Sequence, residues 1–403
     1  MSALSASLRL LKPGDQILAS KDLYGGMYRL LIHAAEHSGL EIRFVETWDL
    51  KRFQKALDSS SKIRMVFLES PTNPMMHVSD IKSIAKLTHA RGALLAVDNT
   101  IMSPVLSKPL DLGADLVIHS ATKFLSGHGD TIGGIVTVRD EDIAESIAFI
   151  QNAEGNGLAP FDSFMILRGM RTMSLRMKQA QESTREIAAF LSRHPVVSKV
   201  NYVEDTNKLH YSQCEGGGAV LSFETQDVEL SRLFVEHATN SKTGLFRNTV
   251  SFGSVRSLAE MPTEMSHSCV PQHEREHIPC DLVRLAVGIE DAGDLIRCVS
   301  SSLSAAQHEA RNLKTQDSAL SKLRRSRSSE FRTIQEKNLP LGTSLPPKEP
   351  HAVGVSMPLW SDVIKYEEGD RETLDKLSGG YPRFVFLKPV KELFETWESL
   401  FAA

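Results

Sequence analysis

Cysteine is scarce: Cys214, Cys269, Cys280 and Cys298 lie far apart in 403 residues and form no CxxC pair, which excludes a disulfide scaffold. They read as reduced thiols, so the cytosol is the expected location. No apolar run reaches the length of a membrane span. The opening MSALSASLRLLKPGDQ has no basic leader, long apolar core or cleavage site, so no signal peptide is expected. Excess positive charge is also missing. With 46 basic against 50 acidic residues, the net charge of −4 excludes the basic footprint of a dedicated nucleic-acid binder. Neither membrane nor nucleic acid is therefore an expected partner, and no internal repeat is found. Metal chemistry has one candidate, the H-E-x-x-H spelled by His273, Glu274 and His277. Pro271 and Pro279 bracket it too closely for a long ligand-bearing helix, so a charged loop and no metal site are expected.

What is present is an ordinary globular composition, 41% hydrophobic and 24% charged, in a chain long enough for two or three domains. Between residues 14 and about 140, β-rich runs at 16–19, 41–45, 63–68, 93–97, 116–118 and 134–138 alternate with helical patterns at 26–37, 49–57 and 78–90. That alternation predicts an α/β fold, a mostly parallel sheet flanked by helices. A long helix over 164–191 leads into a second region with strands at 218–223 and 282–287 and a last helix from 291 to about 308. From 311 to 350 the chain carries Lys322, Arg324, Arg325 and Arg327 among serines, then the Pro-rich LPLGTSLPPKEP, and a disordered linker is expected.

In sheets of this kind, ligands bind outside the carboxyl ends of the strands. Those ends carry Glu69-Ser-Pro-Thr-Asn73, Asp98-Asn99-Thr100 and His119-Ser120-Ala-Thr122-Lys123. A lysine beside a strand end can be a plain surface charge. Here it follows two hydroxyls, and a carboxylate ends a neighbouring apolar strand, as pyridoxal phosphate requires. The aldehyde needs an amine for its Schiff base. The ring withdraws electrons only while its nitrogen stays protonated, which a buried carboxylate enforces; Asp98 is the candidate. Ser120, Thr122 and the helix beginning near Ser2 are candidates to hold the phosphate. Tyr24, after the first strand, either stacks on the cofactor or fills a gap.

The segments DLYGGMYR, ESPTNPMMHVSDI, VDNTIMSP, HSATKFLSGHGD, LRGMRT, MSHS and DLVRLAVGIED resemble, in order, the signature blocks of the cysteine/methionine-metabolism family of fold type I pyridoxal phosphate enzymes. The resemblance covers about residues 1–310. It implies a cofactor-binding large domain over 1–170 and a smaller α+β domain over 171–310. It makes Lys123 the Schiff-base lysine, Asp98 the partner of the ring nitrogen, Tyr24 the stacking ring and Asn73 the donor to the phenolic oxygen. Ser120 and Thr122 become phosphate ligands. Arg284 becomes the grip on the substrate's α-carboxylate, with Ser257 beside it; a planar guanidinium in an otherwise apolar strand agrees with that role. It also implies active sites built across a dimer in a homotetramer.

Within the family, VSFGSVRSLAEMP resembles the plant and fungal type of cystathionine β-lyase, and members acting at the γ-carbon carry an acidic residue where this chain has Arg256. The implied reaction is β-elimination of cystathionine to homocysteine, pyruvate and ammonia, with a γ-acting relative as the alternative. Where the resemblance begins, the family has a serine-glycine pair and an arm bearing Tyr-x-Arg that contact the phosphate; weakened cofactor binding or an impaired enzyme is the expectation without them. The tail over 351–403, with HAVGVSMPLWSDVIKYEEGD, resembles the opening segment of fungal cystathionine γ-synthase, as if two gene products were joined.

Overall fold

The structure, a computed structural model, describes residues 1–335 apart from 204–206, 241, 267–270, 272–274 and 276, and side chains except those of 34–36 and 316–335. Both sheets lie in one compact unit, Met1–Glu330. No helix among the described residues is long and apolar enough to cross a membrane.

The first sheet has six strands: β1 Gln16–Ser20, β2 Glu41–Val45, β3 Ile63–Glu69, β4 Leu94–Asp98, β5 Leu116–Ser120 and β6 Gly134–Val138, in the order β2-β1-β3-β4-β5-β6. All pairings are parallel except β5 with β6. The apolar runs are continuous because both faces are covered and side chains alternate between them. Leu18, Val66, Leu68, Leu95 and Val97 pack on one face with Phe53, Leu57, Ile81 and Ile84 of helices Leu50–Asp58 and Ile81–His89. Ile17, Met65, Phe67, Ala96 and Ile118 pack on the other with Leu4, Leu8, Met27 and Leu31 of helices Ser2–Leu8 and Gly25–Ser38. Asp49 and Asp80 accept backbone N–H bonds at the starts of helices Leu50–Asp58 and Ile81–His89, as good N-caps do.

The second sheet is antiparallel: β7 Lys199–Asn201, β8 Val220–Glu224, β9 Leu258–Glu260 and β10 Val283–Ala286, in the order β7-β8-β10-β9. Leu221, Phe223, Val283 and Leu285 face a core shared with Ile187, Leu191, Phe234, Leu295 and Val299. Alternation turns Val220, Leu258 and Ala286 to a different core, shared with Phe124 and Leu125 of the first sheet's last loop.

Two expectations are corrected. The helix expected over 164–191 is two helices, Pro160–Met170 and Met173–Leu191. The Thr172 hydroxyl bonds the Gly169 carbonyl, and such a local bond competes with the helical ladder. The disordered linker expected from 311 does not begin there, because the last helix runs over Ala292–Gln335. Low hydropathy argued for disorder, yet no Gly or Pro interrupts 294–339 and the segment is rich in Leu, Ala, Lys, Arg and Gln, all good helix formers. The rest of that linker and the tail over 351–403 lie outside the described residues.

Candidate active site

Parallel pairing brings the carboxyl ends of β3, β4 and β5 together, with Glu69 in register with Asp98 and Asp98 with Ile118. Beyond β5 the chain makes one tight turn, Ala121–Leu125, in which Lys123 departs from helical geometry at φ −86° and ψ −130°. Its Nζ donates to Ser251 Oγ at 2.8 Å and lies 5.1 Å from the centre of the Phe252 ring. Burial, with Arg284 as a nearby like charge, lowers the Lys123 pKa to about 8. Ser251 holds a left-handed backbone at φ 79°, an unfavourable conformation for a non-glycine residue. Gly253 must be glycine: its φ is 92°, and a Cβ there would lie 2.7 Å from the backbone nitrogen of Phe124.

Asp98 accepts the Thr100 N–H at 2.9 Å, and desolvation raises its pKa. Glu69 accepts the Tyr24 N–H at 3.0 Å, fixing the start of the helix whose N-cap is Tyr24. Burial and the charges of Asp98 and Asp22 push the Glu69 pKa well up. Ser120 is held through its own N–H, which donates to Thr100 Oγ1 at 2.8 Å. Thr122 Oγ1 accepts the Gly133 N–H at 3.0 Å. Beneath them His119 is buried and its pKa falls to about 4 through desolvation, so it is neutral when Asn99 Nδ2 approaches its Nε2 at 3.1 Å.

From the second sheet, β10 delivers Arg284, only 2% exposed. Its Nη2 pairs with Glu260 Oε1 at 2.6 Å, its Nη1 donates to Asn73 Oδ1 at 3.1 Å, and its Cζ lies 5.4 Å from the Phe252 ring. Phe252 thus has Lys123 and Arg284 within cation–π range. The buried Nε of Arg284 has no hydrogen-bond partner among the described residues.

Lys123 feels the charges of Arg284 and Asp98, and Arg284 feels that of Tyr24 and bonds Asn73, while Ser120 and Thr122 lie in the strand end and turn that carry Lys123. Ser257, expected beside the substrate carboxylate, lies in the segment just before β9. It is wholly buried, donating to Glu290 Oε2 at 2.8 Å and accepting the Gly288 N–H at 2.9 Å, so its hydroxyl is committed within the protein. The serine that meets the reacting region is Ser251, six positions earlier, which sequence reasoning did not single out. Glu260 was also missed, although a buried arginine in an apolar strand signals that a carboxylate must oppose it. Of the H-E-x-x-H residues, His273 and Glu274 lie outside the described residues, and His277 Nε2 lies 3.6 Å from Asp22 Oδ1.

This donor set fits pyridoxal phosphate: an amine already half-neutral near pH 8, a desolvated carboxylate suited to a cationic ring nitrogen, and a guanidinium with an unpartnered buried N–H. A model of the Cys/Met metabolism PLP-dependent enzyme family matches residues 1–304. The chain belongs to this family. It is 48% identical over 302 residues to the chloroplastic cystathionine beta-lyase of Arabidopsis thaliana, an alignment covering 73% of this chain and 64% of that protein. It is 43% identical over 311 residues to the cystathionine beta-lyase of Neurospora crassa, covering 75% and 66%. The chain thus spans just under two thirds of the length of these relatives. Among solved structures, a cystathionine gamma synthase from Xanthomonas oryzae pv. oryzae in complex with cystathionine superposes with a TM-score of 0.73 at 35% identity, over 76% of this chain and 80% of that one. A cystathionine gamma-lyase from Lactobacillus plantarum complexed with L-serine gives a TM-score of 0.72 at 36% identity, over 76% and 80%. The large sheet with its lysine turn and the smaller antiparallel sheet are those of a fold type I pyridoxal phosphate enzyme.

Proposed function

We propose that this chain is a carbon–sulfur lyase that cleaves cystathionine by β-elimination; with one water, the products are homocysteine, pyruvate and ammonia. The observation that carries the reading is the Lys123 amine, desolvated and lowered to about 8, with the Arg284 guanidinium against the same Phe252 ring. Lys123 would hold the cofactor, Asp98 would face its ring nitrogen, Tyr24 and Asn73 would flank the ring, and Ser120 and Thr122 would lie at its phosphate. When bound, the cofactor supplies an electron sink for the pair released at the substrate's α-carbon.

The chain's own residues do the rest. Arg284 grips the α-carboxylate, for which its planar fork is suited, and Glu260 keeps that fork oriented. Lys123 Nζ takes the α-proton; a pKa near the working pH allows it to accept and return a proton readily. Ser251 Oγ steadies Nζ between those steps. Loss of the β-substituent releases homocysteine, and hydrolysis of the remaining unit gives pyruvate and ammonia.

Arg256, where γ-acting members carry an acid, supports β- over γ-elimination. The γ-acting solved structures support the second reading, a γ-lyase or γ-synthase. Product analysis on cystathionine decides: pyruvate with homocysteine supports β-elimination, and 2-oxobutyrate with cysteine overturns it.

We also propose that the chain self-associates, up to the tetramer the resemblance implies. Phe161, Phe164 and Leu167, spaced by three along helix Pro160–Met170, are 71%, 51% and 63% exposed. Phe149 and Leu175 are 72% and 70% exposed. Large apolar residues so grouped are a surface for another copy. Sedimentation of the full chain tests this, with Phe161→Asp and Leu167→Asp expected to yield monomer. The cytosol is the proposed location, supported by the buried free thiols of Cys214 and Cys298.

A further inference from the structure

Behind the lysine turn lies a buried guanidinium that the proposed chemistry does not use. Arg176, in helix Met173–Leu191, is 8% exposed. Its Nη1 donates to the Phe124 carbonyl at 2.9 Å, and its Nη2 to the Leu125 carbonyl at 3.4 Å and the Gly169 carbonyl at 2.8 Å. Its Nε donates to Thr172 Oγ1 at 3.1 Å. A buried charge needs compensation, and here backbone carbonyls provide it. Two of them belong to the residues directly after Lys123.

The space around Arg176 is shaped for it. At Gly127, with φ 75°, a Cβ would lie 1.9 Å from Arg176 Nη1, so any side chain there displaces the guanidinium. Lys123 itself breaks the helical run of its turn, and the carbonyls that follow it are the ones Arg176 takes. Removing those bonds leaves polar groups unsatisfied in a buried place and frees the turn to relax.

We propose that Arg176 is a positioning residue whose guanidinium clamps the backbone after Lys123 and so keeps Lys123 Nζ seated against Ser251. The idea rests on reading Lys123 as the reacting amine, but its test needs no cofactor. The full-length apoprotein is treated with an amine-acylating reagent over a range of pH, and acylation of Lys123 is followed by mass spectrometry.

In the unmodified chain, Lys123 labelling has its midpoint near pH 8. In Arg176→Met the midpoint moves up toward the ~10.4 of a solvated lysine, and labelling at pH 7 falls by up to roughly two hundredfold. Arg176→Lys, which keeps the charge but not the fork, gives an intermediate midpoint. Gly127→Ala, which leaves Arg176 in the sequence but evicts it, shifts the midpoint in the same direction. If Arg176→Met does not fold, Arg176→Lys and Thr172→Val, which loses the Nε contact and the hydroxyl's own bond to the Gly169 carbonyl, carry the same test with smaller shifts.

A purely structural role would lower the melting temperature while leaving the midpoint near 8 in every folded variant; that result overturns the proposal. The two readings fail separately. A shifted midpoint with no cofactor captured at Lys123 keeps the clamp and removes the enzyme, and an unshifted midpoint with normal capture does the reverse.

Discussion

In the six-stranded sheet the functional side chains stand at or beyond the strands' last residues: Glu69 and Asp98 end β3 and β4, and Lys123 lies in the turn after β5. In the four-stranded sheet Arg284 sits inside β10, hydrogen-bonded between two neighbouring strands, with Glu260 of β9 as its cross-strand partner. The difference teaches which residues are bound up with folding. Strand-end groups are added to a sheet whose core lies elsewhere, so replacing them changes chemistry and leaves the core intact. A charge within a strand, paired at 1–3% exposure, is part of the core itself.

The largest contrast is expected from Lys123→Ala. Turnover should vanish while the melting temperature does not fall, because the replacement removes a desolvated amine; a matched activity assay and thermal melt check both. Arg284→Met should instead lower stability by roughly 3–5 kcal/mol, since Glu260 would be buried without its partner, and should raise KM sharply. Adding Glu260→Met should return most of the stability but none of the affinity. If Arg284→Met melts like the unmodified chain, the contrast between the sheets is broken.

The next effect is about tenfold. Because the Lys123 pKa is lowered to about 8, the amine is protonated below that pH and neutral above it. Cofactor capture by the apoprotein should therefore rise about tenfold per pH unit up to pH 8 and level off above it. Stopped-flow absorbance measures this, and a rise continuing to pH 10 would mean a solvated lysine. The smallest effect is Ser251→Ala, which removes one hydrogen bond, worth about 0.5–1.5 kcal/mol, and should slow capture by roughly two- to tenfold.

The same contrast explains what could be read from the sequence. The inner strands β1, β3, β4 and β5 of the large sheet were legible because burial on both faces leaves nearly unbroken apolar runs, and the acid and lysine that follow those runs fall at the ligand-binding edge. Arg284 was legible as a charge in an apolar strand. Ser251 and Phe252 were not, because their segment has no periodicity and its path depends on a left-handed serine and on Gly253 packed against the lysine turn. The bond from Ser257 to Glu290 was not legible either, because the two meet only through tertiary folding. The helix continuing through 311–335 was hidden by a polar composition that propensity, rather than hydropathy, governs.

One measurement bears most directly on all of this. The full chain is saturated with pyridoxal phosphate, reduced with borohydride and digested, and the modified peptide is sequenced by mass spectrometry. A pyridoxyl mass on Lys123, absent from Asp98→Asn or present there at much lower yield, is the predicted outcome. A modification on any other lysine, or none on Lys123 at saturation, contradicts the account.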